Sequence, residues 1–425
     1  MNAKDFLPVT IELAETPDSY IELAADVEEL ARYLDLEDWI VNRIRHIERE
    51  VTVNLPLVRD GSRALSITGF RAQHLSARGP MYGPVSICPG AQLSHLRAAA
   101  IEMTFQAALL NSPFGGAAGA IVCDPDTLSE SDLRCLAKEY VRGLRGILGR
   151  FNDVLGPGEG CNEQIMAWML DSHAQLQGHM DLGVVAGRAA QMWGVENRGE
   201  IVGRGLAVVL QNVLRERKPS LRDITVAVQG FGPLGTSLAL GLQKSGTRLV
   251  AVADASGGVL APSGIDVNAL SSYVAEKRFV LGFPEAEQVS NADVVGCQCD
   301  VLIAAAGRKQ ITNTNVAQIQ AHAVVEAVTG GITSGAEALL SNAGTVVIPS
   351  ILASSGETVA AFVEWNQSLR FAQLPPADVE QELESRIGTA CQQVKAAALK
   401  HNISLRRAAH LVAMERIASE LRMCT

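Results

Sequence analysis

The segment Gly230-Phe231-Gly232-Pro233-Leu234-Gly235 constrains the fold of this chain more than any other. It follows Ile224 to Val228, a β-branched-rich run short enough for a buried parallel strand, and precedes Thr236 to Lys244, which reads as a helix. In such a turn the first glycine permits the tight bend. The second lets the backbone approach a pyrophosphate, and the third lets the helix pack on the strand. The helix start then offers free N–H groups and a positive dipole end to a phosphate. Asp254 lies nineteen residues past Gly235, at the end of a second strand, Leu249 to Ala253. An acid there accepts from ribose hydroxyls, which favours NAD over NADP, although Ser256 beside it could admit a 2′-phosphate. The expected cofactor-binding set is Gly230, Phe231, Gly232, Pro233, Leu234, Gly235, Asp254 and Ser256. A nucleotide-type sheet that holds no ligand satisfies the same pattern.

Val301 to Ala305, Ala323 to Val328 and Thr345 to Ile348 are further short apolar runs, which predicts a parallel sheet covered on both faces. Upstream, residues 26–50 carry apolar positions at helical spacing. Val51 to Val58 and Leu65 to Phe70 read as strands of a hairpin around Asp60-Gly61-Ser62. A helix is expected over Leu96 to Leu110, broken by Asn111 to Gly116. Ser129-Glu130-Ser131-Asp132 looks like a capping box for a helix over Leu133 to Leu148, and the tail from Pro376 to Met423 reads as helical throughout.

Lys plus Arg number 36 against 46 Asp plus Glu, and the resulting charge of −10 argues against general affinity for nucleic acid or an anionic membrane. An aromatic content of 4% leaves no base-stacking platform. No apolar run is long enough to span a bilayer, and Met1 to Asp5 leads into acidic sequence without an export core, so a cytoplasmic location is expected. The eight cysteines then read as reduced thiols. Cys297-Gln298-Cys299 is the one close pair and lacks the second pair that a metal site would need.

Other segments carry a resemblance that spans nearly the whole chain. They are Gly69 to His74 with Ala77 to Pro80, Glu102 to Phe105, Pro113 to Ala117, Met166 to Met169, Arg198 with Gly203-Arg204-Gly205, Val228 to Gly232, Ile348 to Ala353 and Phe362 to Trp365. In these the chain resembles the glutamate/leucine/phenylalanine/valine dehydrogenase family, its glutamate branch most closely. The resemblance implies an α/β fold of two domains. A substrate and oligomerisation domain would span 1–198, joined by C-terminal helices over 375–425. A Rossmann-type dinucleotide-binding domain would span 199–374, and the assembly would be a hexamer.

Oxidative deamination needs a cationic anchor for the substrate carboxylates, a lysine of lowered pKa and an acid that shuttles protons. The family loop Gly-Pro-x-Lys-Gly-Gly reads here Gly79-Pro80-Met81-Tyr82-Gly83-Pro84, which puts Tyr82 at the anchoring lysine. Met-Thr-Trp-Lys becomes Met103-Thr104-Phe105-Gln106, with Gln106 at a second carboxylate-binding lysine. Gly-Gly-Ala-Lys-Gly-Gly becomes Gly115 to Ala120, with Ala118 at the catalytic lysine. Pro-Ala-Pro-Asp becomes Leu155-Gly156-Pro157-Gly158, with Gly158 at the catalytic aspartate. Ala361 aligns near the serine that meets the distal carboxylate.

No lysine occurs between Lys4 and Lys138, so a shift of alignment does not restore one. Arg71, Arg78 and Arg97 stay protonated and cannot act as bases, and Glu159 is the one neighbour able to stand in for the aspartate. Glu326-Ala327-Val328-Thr329 replaces Glu-Gly-Ala-Asn near the nicotinamide, and Val202 replaces a threonine. His74 reads as a structural hydrogen-bonding residue, and Trp168, Trp193 and Trp365 as packing residues.

Three functions follow from the resemblance. The chain could be a non-catalytic regulatory subunit, in a homo-oligomer or joined to an active dehydrogenase paralogue. It could be an active NAD(P)-dependent glutamate dehydrogenase using substitutes such as Arg78 and Glu159. It could be a sensor that holds a nucleotide or amino-acid effector without turnover. The loss at four motif positions favours the first.

Overall fold

Two sheets organise the chain, and the computed structural model describes residues 19–58, 65–222 and 224–424. Met1 to Asp5 and the turn Asp60-Gly61-Ser62 lie outside the described residues. The N-terminal half opens with α1 (Ser19–Tyr33) and α2 (Asp38–Arg45). Its sheet contains β1 (Arg49–Leu57), β2 (Leu65–Gln73), β3 (Met81–Ile87), β4 (Gly115–Ile121) and β5 (Asp153–Pro157). Between them run α3 (Leu93–Leu109), α4 (Glu130–Gly143) and then α5 (Glu163–Gln177). The strand order is β1-β2-β4-β3-β5, with the β1–β2 and β2–β4 pairs antiparallel and β3 parallel to both β4 and β5.

The second half begins with α6 (Arg198–Val213), β6 (Thr225–Gln229), α7 (Pro233–Lys244), β7 (Arg248–Asp254) and β8 (Gly257–Leu260). It continues through α8 (Val267–Lys277), β9 (Glu287–Val289), α9 (Asn291–Val295) and β10 (Val301–Ala304). Next come β11 (Ala323–Glu326), α10 (Ser334–Asn342) and β12 (Val346–Ile348). Four helices close the chain: α11 (Ser350–Ala353), α12 (Ser355–Arg370), α13 (Pro376–His401) and α14 (Leu405–Met423). The sheet runs β12-β11-β10-β6-β7-β8-β9, parallel from β12 to β7 and closed by two antiparallel edge strands. This is the doubly wound sheet that the sequence predicts. Every residue of β10 and β11 is buried, as a strand covered on both faces requires.

Several elements differ from expectation. The helical stretch over 26–50 is two helices, interrupted where Asp35 takes a left-handed φ of 47°, and β1 already begins at Arg49. The capping box at Ser129 is formed with Asp132, but its helix ends at Gly143 rather than Leu148. Gly115 to Ile121 is a fully buried strand, not a loop. Its glycines and alanines have little strand propensity, yet small residues let α3 lie close against it. The C-terminal tail is two helices, because Asn402 adopts a left-handed φ of 52° between them.

The last helix ties the halves together. Arg406 on α14 pairs with Glu326 at the end of β11 (2.8 Å) and Glu337 on α10 (2.6 Å). His410, one helical turn on, sits buried between Asp26 of α1 (3.3 Å) and Glu102 of α3 (3.1 Å). Burial opposes its charge, but Glu102 and Asp26 outweigh that and push its pKa up to about 10.

Candidate functional site

An aromatic cluster packs on the first sheet at the position that the resemblance assigns to the anchoring lysine. Tyr82, on β3, is 4% exposed and packs with Phe114, Ala107, Val154, Ala186 and Ala361. Its ring centroid lies 5.2 Å from that of Phe114, and Phe114 in turn meets the edge of Trp365 at 5.3 Å. The Tyr82 hydroxyl faces Arg198 at the start of α6, and burial raises the phenol pKa far above its usual value. Arg198 also donates to Glu364 of α12 (3.0 Å). Gly156, on β5, belongs to the same arrangement. A Cβ there would stand 2.9 Å from the Tyr82 hydroxyl, so the tyrosine fits because its neighbour has no side chain.

Gln106 lies on α3, four residues from the Glu102 that anchors His410. Its side-chain nitrogen donates to the Ile351 carbonyl (2.9 Å) and Ser354 Oγ (2.7 Å), and its oxygen accepts from Thr358 Oγ1 (2.5 Å). The amide is buried and committed to α11 and α12. Tyr82 and Gln106 therefore both pack against α12, the helix that carries Ala361. Ala118 on β4 is buried in a small apolar patch with Ala72, Leu96 and Ala100. A Cβ at Gly158 would stand 2.6 Å from Ser86 Oγ and 2.8 Å from the Val85 carbonyl oxygen, so this backbone leaves no room for a side chain.

The sequence-level substitutes are engaged elsewhere. Arg78 donates to the carbonyls of Ser112 (2.9 Å) and Phe114 (3.2 Å) and pairs with Glu420 of α14. Arg71 forms a fully buried pair with Asp153 (2.5 Å), which also accepts from Gln73. Arg97 pairs with Glu50 on β1 (2.5 Å). Glu159 is exposed. His74 is structural: its Nε2 donates to the Ile44 carbonyl (2.8 Å), its Nδ1 meets Thr104 Oγ1 (2.7 Å), and burial lowers its pKa to about 4.

The glycine turn has the geometry that a dinucleotide needs at its phosphates. Gly230 has a φ of +98°, and a Cβ on it would stand 2.5 Å from the Ala306 backbone. A Cβ on Gly232 would meet nothing within 4 Å, so the start of α7 faces open space. Pro233 occupies the first helical position, Phe231 is buried in the core, and Leu234 packs against it. Gln229, ending β6, has a buried Oε1 with no partner. The ribose end is different. Asp254 Oδ1 accepts from Ser256 N (2.8 Å) and Ser256 Oγ (2.5 Å), and Oδ2 accepts from Val280 N (2.8 Å). Both oxygens are thus held by their own loops, and Ser256 serves Asp254. The residues fit a dinucleotide at its pyrophosphate, while at the ribose Asp254 would accept beyond three bonds already made.

Family models match two segments: Glu/Leu/Phe/Val dehydrogenase, dimerisation domain, over residues 47–175, and Glutamate/Leucine/Phenylalanine/Valine dehydrogenase over 194–423. The chain belongs to this dehydrogenase family. Glutamate dehydrogenase B of Halobacterium salinarum is 34% identical over 94% of both chains. Glutamate dehydrogenase of Thermotoga maritima is 34% identical over 91% of this chain and 94% of its own. A hetero-hexameric glutamate dehydrogenase from Thermus thermophilus, solved in a Leu-bound form, superposes with a TM-score of 0.91 at 32% identity, covering 97% of this chain and 98% of that one. NAD-specific and NADP-specific glutamate dehydrogenases both occur among the matching relatives.

Sequence reading missed Glu357, which is half-buried beside Arg198 and whose carboxyl pKa is raised by desolvation, and Glu364, which is buried and anchored by Arg198. Neither position departs from an ordinary helical pattern, so only packing reveals them. Among the described residues, no helix is long and apolar enough to cross a membrane.

Proposed function

We propose that this chain is a non-catalytic, regulatory member of the glutamate dehydrogenase family. The observation that carries the proposal is that the positions aligned with the family's reactive residues are filled rather than vacant. Tyr82 plugs the cleft, Gln106 is saturated by α11 and α12, Ala118 lies in an apolar patch, and Gly158 has no room for a side chain. Removing one acid–base group costs about 10²–10⁴ in rate, and the loss of several leaves little beyond proximity effects. The proposed division is a substrate-type domain over 1–198 with 375–425, and a nucleotide-type domain over 199–374.

In this reading the nucleotide-type domain retains NAD or NADP at Gly230 to Gly235. NAD is favoured because the Asp254 carboxylate repels a 2′-phosphate. The chain works in the cytoplasm within a hexamer, alone or with an active paralogue, under a small-molecule effector. The hetero-hexameric relative from Thermus thermophilus supports a mixed assembly.

Affinity capture of the tagged chain from its native extract, followed by native mass spectrometry, tests the proposal. A mixed oligomer with a second family member is expected. A complex containing this chain alone, with turnover of glutamate, would establish the active-enzyme reading instead.

A further inference from the structure

Cys297 and Cys299 stand on the segment that joins α9 to β10, with one residue between them. Both are free, and their thiols face each other. Their settings differ. Cys299 is 5% exposed and lies in an apolar layer with Ala227, Val294 and Leu302, while Cys297 is half-buried and packs against the edge of that layer. Residues 297–299 belong to no helix or strand, which lets the backbone adjust by the small amount that a disulfide requires.

The two thiols are also unequal in reactivity. The neighbouring Cys299 thiol favours the thiolate of Cys297 and brings its pKa down to about 7, against the opposing effect of burial. Cys299 is pushed up, first by Cys297 and then by burial. A second group of thiols, Cys88, Cys123 and Cys161, stands just beyond β3, β4 and β5. Burial raises all three, Cys123 to about 11 and Cys161 to about 12. What sets the first pair apart is a solvent-reachable thiolate backed by a buried thiol.

We propose that Cys297 and Cys299 form a peroxide-sensitive modification site, in which Cys297 attacks the oxidant and Cys299 resolves it to a disulfide. The Cys297 sulfur attacks one oxygen of hydrogen peroxide. The O–O bond breaks, hydroxide leaves and takes up a proton as water, and Cys297 becomes a sulfenic acid. That step removes the thiolate that held Cys299 protonated. The Cys299 sulfur then attacks the Cys297 sulfur. The S–S bond forms, the S–O bond breaks, and the departing hydroxide leaves as water with the Cys299 proton. In sum two thiols lose two electrons and two hydrogens, and the peroxide is reduced to two waters. The closed loop is short and gains little from chain entropy, so a dithiol reductant reopens it. The bond forms beside the seam between β10 and β6, where Asp300 accepts from Thr225 N (2.9 Å) and Thr225 Oγ1 (3.0 Å). The proposal does not rest on the regulatory role, since neither thiol belongs to the filled cleft.

Peptide mass spectrometry on the intact chain tests it. The reduced protein is treated with limiting hydrogen peroxide at neutral pH, alkylated and digested with trypsin. Cleavage after Arg278 and Arg308 gives fragment 279–308, which contains Cys297 and Cys299 and no other cysteine. This fragment should lose two hydrogens and escape alkylation at least about tenfold faster than the fragments of Cys88, Cys123 and Cys161 oxidise. Dithiothreitol should restore both alkylation sites. Cys297→Ser should abolish the mass loss. Cys299→Ser should stop at the sulfenic acid, which a 1,3-diketone traps at position 297. Should the buried Cys299→Ser variant fail to fold, the parent fragment and the half-buried Cys297→Ser variant still decide. Fragment 279–308 oxidising no faster than those of Cys88, Cys123 and Cys161, or the mass loss persisting in Cys297→Ser, would overturn the proposal.

Discussion

Replacing Tyr82 with the family's lysine should destabilise the protein rather than repair it. The ring is buried against Phe114, Val154, Ala186 and Ala361, and its loss resembles a large-to-small change in a core, which costs about 3–5 kcal/mol. The ring–ring contact with Phe114 contributes about 0.5–1.5 kcal/mol of specific geometry within that. A lysine ammonium would enter beside the Arg198 guanidinium, adding like-charge repulsion. Tyr82→Phe separates packing from polarity, because it keeps the ring and loses only the hydroxyl beside Arg198, at under about 1.5 kcal/mol. Urea titration followed by circular dichroism reads both variants. With a slope of about 2 kcal/mol/M, Tyr82→Lys should lower the midpoint by about 1.5–2.5 M and Tyr82→Phe by under about 1 M. A Tyr82→Lys midpoint equal to that of the parent would refute the view that this residue fills a packed site.

Three further outcomes are expected. His410 has its pKa raised from 6.5 to about 10 in the fold, so its stabilising effect is complete below pH 6.5 and is lost as pH rises to about 10. Denaturation midpoints should decline over that window, and His410→Phe should remove the decline. Asp153→Ala strands the buried Arg71 charge and should cost about 3–5 kcal/mol by urea titration, whereas Arg97→Ala, at a surface pair, should cost under about 1 kcal/mol. Gly158→Asp combined with Ala118→Lys should yield no glutamate-dependent NAD(P) reduction by absorbance, since the aspartate Cβ meets Ser86 and Val85.

The second sheet was legible because glycines at fixed spacing and β-branched runs are local signals. Strand β4 was not, since Gly115 to Ala120 has the composition of a loop and becomes a strand only through what packs on it. The break at Asp35 was hidden for a similar reason: apolar spacing continues through it. At the site, sequence alignment identified Tyr82, Gln106, Ala118 and Gly158 as substitutions but not their consequences. The pairing of Tyr82 with Gly156 joins two strands far apart in sequence, and the bonds of Gln106 reach helices about 250 residues onward.

The central claim is that the filled cleft has no dehydrogenase chemistry. Initial rates on the purified, folded chain test it most directly, with glutamate and NAD or NADP in one direction and 2-oxoglutarate with ammonium and reduced cofactor in the other. The account predicts no turnover above buffer in either direction. Turnover that co-elutes with the protein and scales with its concentration would contradict it.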